Sequence, residues 1–86
     1  MYLHLGQNVV VPEASIIGIF DLDNTTGSGI TRKFLNDAEK AGRILNVTDE
    51  LPKSFVICGD DREMMIYLSQ LSSQTLLKRT ETMRFE

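Results

Sequence analysis

The sequence predicts an α+β domain: a small, mostly antiparallel sheet with one main helix and a short C-terminal helix. Three observations carry that prediction. Short runs that alternate, or that are continuously Val, Ile and Phe, recur between turn residues in the way strands do. Residues 30–41 instead repeat apolar side chains at helical spacing. Finally, 86 residues leave room for one domain and no second. A chain that short buries only about 60–65% of the surface its unfolded form exposes, so partner subunits are expected to cover part of it.

Taken in order, Tyr2-Leu3-His4-Leu5 alternates, Gly6-Gln7-Asn8 supplies turn chemistry and Val9-Val10-Val11 follows, which together read as a β-hairpin. Pro12 ends or bulges its second strand. A third strand is expected over residues 15–20; it is apolar on both faces, which predicts cover on both, and Gly18 within it predicts a close backbone approach. Residues 23–29 form a polar loop in which Ser28 is placed to cap a helix over residues 30–41, with Gly42 as its C′ residue. At ~100° per residue, Ile30, Phe34, Leu35, Ala38 and Ala41 share one face of that helix.

Two strands follow over residues 43–48 and 53–58, separated by the acidic, proline-containing loop Asp49-Glu50-Leu51-Pro52. Gly59-Asp60-Asp61-Arg62 turns the chain into residues 64–71, so residues 53–71 read as a second hairpin. Ser72 caps a short helix that ends near Arg79, with Leu71 and Leu76 spaced as a hydrophobic staple. Residues 1–79 thus read as a single domain and residues 80–86 as a tail without periodicity.

Composition narrows the class. With 42% hydrophobic and 24% charged residues, the chain has too much Ile, Leu, Val and Phe for a disordered protein. The lone Cys58 sits inside the apolar run Phe55-Val56-Ile57-Cys58 and reads as a small buried side chain. No basic leader precedes a long apolar stretch, and no run approaches the ~18 residues of a membrane span, so a cytoplasmic protein without a membrane contact is expected. The net charge of −3 is unevenly spread. Residues 1–31 carry Glu13, Asp21 and Asp23 with no Lys or Arg, whereas residues 32–86 are neutral overall and hold all nine basic side chains.

One motif invites a catalytic reading. The strand ending in Asp21-Leu22-Asp23-Asn24-Thr25 resembles the first motif of haloacid-dehalogenase phosphotransferases, whose first Asp is a nucleophile and second a general acid and base beside Mg²⁺. Phe55 to Cys58 followed by Gly59-Asp60-Asp61 resembles that family's fourth motif. The topology argues against the match, because that fold needs several strand-helix crossovers and a single substantial helix separates Asp21 from Asp60. With one histidine, His4, and one cysteine, no zinc site or Cys-His pair with an orienting third group is available. No catalytic residue, metal or cofactor is therefore expected. His4 reads as a structural or interface side chain.

The basic side chains point elsewhere. At ~100° per residue, Arg32, Lys33, Asn36, Lys40 and Arg43 occupy about 100° of arc opposite the apolar side of the main helix. A symmetric oligomer would repeat this patch and multiply counterion release on double-stranded DNA. Lys53 adds one further cation in the loop before the next strand.

Along the whole chain, Met1-Tyr2-Leu3-His4-Leu5-Gly6, Ile16 to Thr26, Thr31-Arg32-Lys33-Phe34-Leu35, Ala38-Glu39-Lys40, Asn46-Val47-Thr48, Leu51-Pro52-Lys53-Ser54-Phe55-Val56 and Leu76-Leu77-Lys78-Arg79 occur in an order that resembles the RemB branch of the RemA/RemB family of extracellular-matrix regulators. The resemblance implies a small bacterial regulator of biofilm-matrix gene expression with a domain similar to the LytTR type of DNA-binding fold. It also implies DNA bound by arginines of a closed ring of subunits. Arg32 and Lys33 match a basic pair at the start of the RemA-branch helix. Ser15 stands where that branch has a basic residue, and only Lys53 is positive in the segment matching its arginine-rich loop. The second function these departures suggest is a protein-interaction adaptor acting on a RemA-like regulator through the acidic N-terminal third.

Overall fold

The computed structural model describes residues 2–22, 29–59 and 63–84. Strands β1 (Tyr2–Gly6) and β2 (Val9–Pro12) pair antiparallel, with Leu3 opposite Val11 and His4 opposite Val10. A single 3₁₀ turn, Glu13–Ser15, leads into β3 (Ile16–Asp21). Helix α1 (Gly29–Lys40) precedes β4 (Ile44–Asn46), and β5 (Ser54–Gly59), β6 (Met64–Ser69) and helix α2 (Ser73–Arg84) complete the order. The second sheet has the order β3-β5-β6-β4, antiparallel except for the parallel β4–β6 pair.

Alternation along the central strands divides the interior into two layers. Val56 and Cys58 of β5 face the hairpin and α2, where they pack with Leu3, Leu5, Val11, Val47 and Leu76. Phe55 of β5 and Ile66 of β6 face the other way and pack with Ala38, Phe34 and Leu35 of α1. The four-stranded sheet is therefore sandwiched between α1 on one side and the hairpin with α2 on the other. Two cross-strand serines, Ser54 and Ser69, are fully buried where the layers meet. Ser69 Oγ donates to the Leu5 carbonyl and so fastens the hairpin to the sheet, while Ser54 Oγ donates to the Leu71 carbonyl at 2.7 Å.

Two of the helix ends read from the sequence, the C-terminal end of α1 and the N-terminal end of α2, are built as expected. Gly42 has φ 72°, its N–H donates to the Glu39 carbonyl at 3.0 Å, and the Arg43 N–H donates to the Ala38 carbonyl at 2.9 Å. These paired bonds form the Schellman arrangement that satisfies the last carbonyls of a helix. Ser72 Oγ accepts the Thr75 N–H at 3.2 Å as an N-cap, and Leu71 and Leu76 meet in the same apolar cluster. The expected Ser28 cap and most of the turn at residues 59–62 lie outside the described residues.

Other expectations need correction. The third strand is not covered on both faces: β3 is a sheet edge, and a register shift between Ile16 and Gly18 turns Ile17 outward, 64% exposed. Gly18 does permit a close approach, because a Cβ there would lie 2.6 Å from the Phe20 ring, which covers it. On α1, Ile30 belongs to the apolar face by spacing yet is 85% exposed, since it stands in the first turn beyond the sheet's cover. The C-terminal helix is not short. It continues past Arg79 to Arg84 and equals α1 at 12 residues. The strand expected over residues 43–48 is shorter, Ile44–Asn46, with the Arg43 carbonyl and the Val47 N–H bonded to β6 on either side of it.

Candidate functional site

Arg32, Lys33, Asn36 and Lys40 all stand exposed on the outer side of α1, where the periodicity places them. Burial of Phe34, Leu35 and Ala38 against the sheet is what turns them outward. Arg32 and Lys40 are eight positions apart, about 12 Å along the axis at 1.5 Å per residue. Asp37 and Glu39 are also exposed on this helix and flank the stripe on either side. Asn36, Glu39 and Lys40 border a shallow depression.

Arg43 does not belong fully to that stripe. It is half-buried just past the C-terminal end of the helix; its Nη1 donates to the Met64 carbonyl at 3.1 Å, and its own carbonyl accepts the Ile66 N–H at 2.8 Å. The guanidinium is thus partly committed to holding the start of β6. Lys53 is exposed but lies elsewhere: its N–H donates to the Ser69 carbonyl at 2.8 Å and its carbonyl accepts the Leu22 N–H at 3.0 Å. Met64 and Ser69 are opposite ends of β6, so Lys53 and Arg43 are separated by about 16 Å of strand. Of the five predicted residues, the fold gathers Arg32, Lys33 and Lys40 on one exposed face.

The acidic motifs are arranged differently from the phosphotransferase pattern. β3 and β5 are antiparallel, with Asp21 opposite Ser54 and Ile16 opposite Cys58. Asp21 and Gly59, which precedes the second acidic pair, therefore sit at opposite ends of the sheet, about 17 Å apart along β5. Asp23, Asp60 and Asp61 lie outside the described residues.

The remaining reactive side chains have structural settings. Cys58 is buried, and burial raises its thiol pKa above the ordinary value, with the neighbouring Ser15 hydroxyl pulling the other way. Burial likewise raises the Tyr67 phenol, helped by Cys58 beside it. His4 is exposed on the outer face of the hairpin, and its carbonyl accepts Arg79 Nη1 at 3.2 Å, which ties β1 to α2.

A further surface was not singled out from sequence. Phe20, Ile30, Thr31, Phe34, Phe55 and Ile57 line an open groove of about 290 Å³ between the first turns of α1 and the β3 edge. Phe20 and Phe55 stack across its floor with ring centroids 5.0 Å apart. Ile30 and Phe34, one helical turn apart, were the only local signal; the contribution of β3 and β5 depends on which strands pair.

Comparison with known proteins agrees along nearly the whole chain. A family model described as RemA-like, extracellular matrix regulatory protein A-like, matches residues 2–80. Extracellular matrix regulatory protein B of Bacillus subtilis (strain 168) is 37% identical over 83 residues, which span 96% of this chain and 94% of that protein.

Proposed function

Since the chain belongs to the RemA-like family of extracellular matrix regulators, we propose that it acts in the cytoplasm on biofilm-matrix gene expression by binding double-stranded DNA as a homo-oligomer. Arg32, Lys33 and Lys40 make the phosphate contacts, Lys53 reaches the same duplex from the other end of the sheet, and Arg43 contributes through whatever part of its guanidinium Met64 leaves free. The observation that carries this reading is the exposure of three cations on one face of α1 in a chain of net charge −3. Three charges hold a duplex weakly, whereas a closed set of subunits presents the same face many times to one polyanion. The LytTR-type likeness implied by the family resemblance is part of this reading, and no catalysis enters it.

The test is a titration of an AT-rich promoter fragment at low and moderate salt, repeated with Arg32→Ala/Lys33→Ala. Each phosphate contact adds about 0.9 to the slope of log affinity against log salt, so the double variant should bind more weakly with a slope flatter by up to ~2 per engaged subunit. Unchanged affinity would remove α1 from the account.

A second reading is favoured by the commitment of Arg43 to Met64 and by the distance of Lys53. In it the chain is an adaptor that modulates a RemA-like regulator by direct contact through residues 1–31, which carry all their charge as carboxylates. Mixing the two proteins distinguishes the readings: a stable mixed complex, with no DNA retention by this chain alone, selects the adaptor.

A further inference from the structure

The layer formed by the hairpin and α2 turns its outer side to solvent, and the duplex contact proposed for α1 makes no use of it. Tyr2 and His4 alternate with the buried Leu3 and Leu5 along β1, so both rings stand on that outer side, with Tyr2 62% exposed. Across the strand pair, Pro12 lies opposite Tyr2, and Val10, 43% exposed, lies opposite His4. The ribbon thus presents two planar rings in one row with apolar neighbours beside them. Alternate positions on a strand are ~6.8 Å apart, which leaves each ring room for a partner of its own.

Charge sets this layer apart. β1 and β2 contain no carboxylate, and α2 has three cations, Lys78, Arg79 and Arg84, against Glu81, a net +2 in a chain of −3. On α1 the same count gives +1, from three cations against Asp37 and Glu39. Arg79 is exposed, and its Nη1 donates to the His4 carbonyl at 3.2 Å, which holds the guanidinium at the edge of the strand that bears the rings. A guanidinium has five N–H groups, and that contact uses one.

Flat aromatic faces beside cations, on strands without a carboxylate, match the chemistry of nucleobases on a phosphate backbone. Aromatic side chains on a sheet stack on bases whose faces are open, whereas bases inside a duplex are covered by their neighbours. We infer that the outer face of the hairpin binds single-stranded nucleic acid, with Tyr2 and His4 stacking on bases and Arg79 meeting the phosphates. The site lies on the opposite side of the four-stranded sheet from α1, so it stands or falls independently of the duplex contact.

The test titrates fluorescein-labelled oligothymidylate and oligouridylate of ~12 nucleotides with the full chain, followed by anisotropy at low and moderate salt. Both are expected to bind, since stacking does not depend on the sugar. Tyr2→Leu keeps an apolar side chain at this exposed position but has no aromatic face, and should weaken binding by about 5–150-fold, the effect of losing one stacked base. Tyr2→Phe should bind within about twofold of wild type. Arg79→Gln should flatten the slope of log affinity against log salt by about 0.7. The chain has two tyrosines and no tryptophan, so stacking on Tyr2 should also quench its intrinsic emission, which a contact elsewhere would not do. Circular dichroism melts verify that each variant is folded, and duplex binding by Tyr2→Leu should equal that of wild type. A wild type that binds neither oligonucleotide would overturn the inference and leave the face to a protein partner. A Tyr2→Leu variant that binds as tightly as wild type, or a folded Tyr2→Phe variant that loses as much as Tyr2→Leu, would overturn stacking on this ring.

Discussion

Replacing Ser69 with alanine should destabilise the protein far more than the loss of one oxygen suggests. The side chain is fully buried, its Oγ donates to the Leu5 carbonyl, and the same oxygen accepts the Leu71 N–H at 3.0 Å. Alanine removes the partner of the buried Leu5 carbonyl and of the partly buried Leu71 N–H, at about 1–3 kcal/mol each before relaxation, so a loss of ~2–4 kcal/mol is expected. With an unfolding entropy near ~2.1 cal/mol/K per residue, this corresponds to a Tm lowered by about 10–20 °C. Ser54→Ala makes the comparison, because it strips one hydrogen bond, that to the Leu71 carbonyl, and should cost about half as much. Urea melts followed by circular dichroism, at one fixed protein concentration so that assembly does not shift the midpoint, give both values. A Ser69→Ala variant within ~0.5 kcal/mol of wild type, or one less affected than Ser54→Ala, would refute the claim that this serine joins the layers.

Gly42→Ala should cost about 1–2 kcal/mol, because φ 72° places a Cβ against the following carbonyl; an unaltered melt would show that the Schellman turn is not held. Stability should fall as pH rises above about 8.5. The folded state holds the Cys58 and Tyr67 protons more tightly than the unfolded chain does, so it binds more protons there and loses ground as they leave. Cys58→Ala should flatten the alkaline limb of a Tm-against-pH curve, and an unchanged limb would contradict the assignment.

What the sequence made legible was mainly local. The hairpin could be read because Leu3 and Leu5 alternate with polar neighbours across a short turn, and the end of α1 because Gly42 supplies a backbone conformation that other residues resist. Arg32, Lys33 and Lys40 could be placed together because helical spacing alone determines the face. Arg43 could not, since its hydrogen-bond partner is a backbone carbonyl 21 residues away. The edge position of β3, which leaves Ile17 and Phe20 partly in solvent, likewise follows from β5 and not β2 becoming its neighbour. The length of α2 escaped because its last turns have no apolar period to mark them, and their helicity extends a segment already anchored by Leu76.

The layer built from the hairpin and α2 joins the first and last elements of the domain, as the contact between His4 and Arg79 shows. During synthesis, Leu3, Leu5 and Val11 must therefore wait for Val56, Cys58 and finally Leu76 before their apolar side is covered. At a translation rate of ~5–20 residues per second that interval lasts about 3–15 s. Throughout it β1 and β2 form a bare two-stranded ribbon, too small to persist alone. Folding of this domain is thus expected to be completed only once α2 is available.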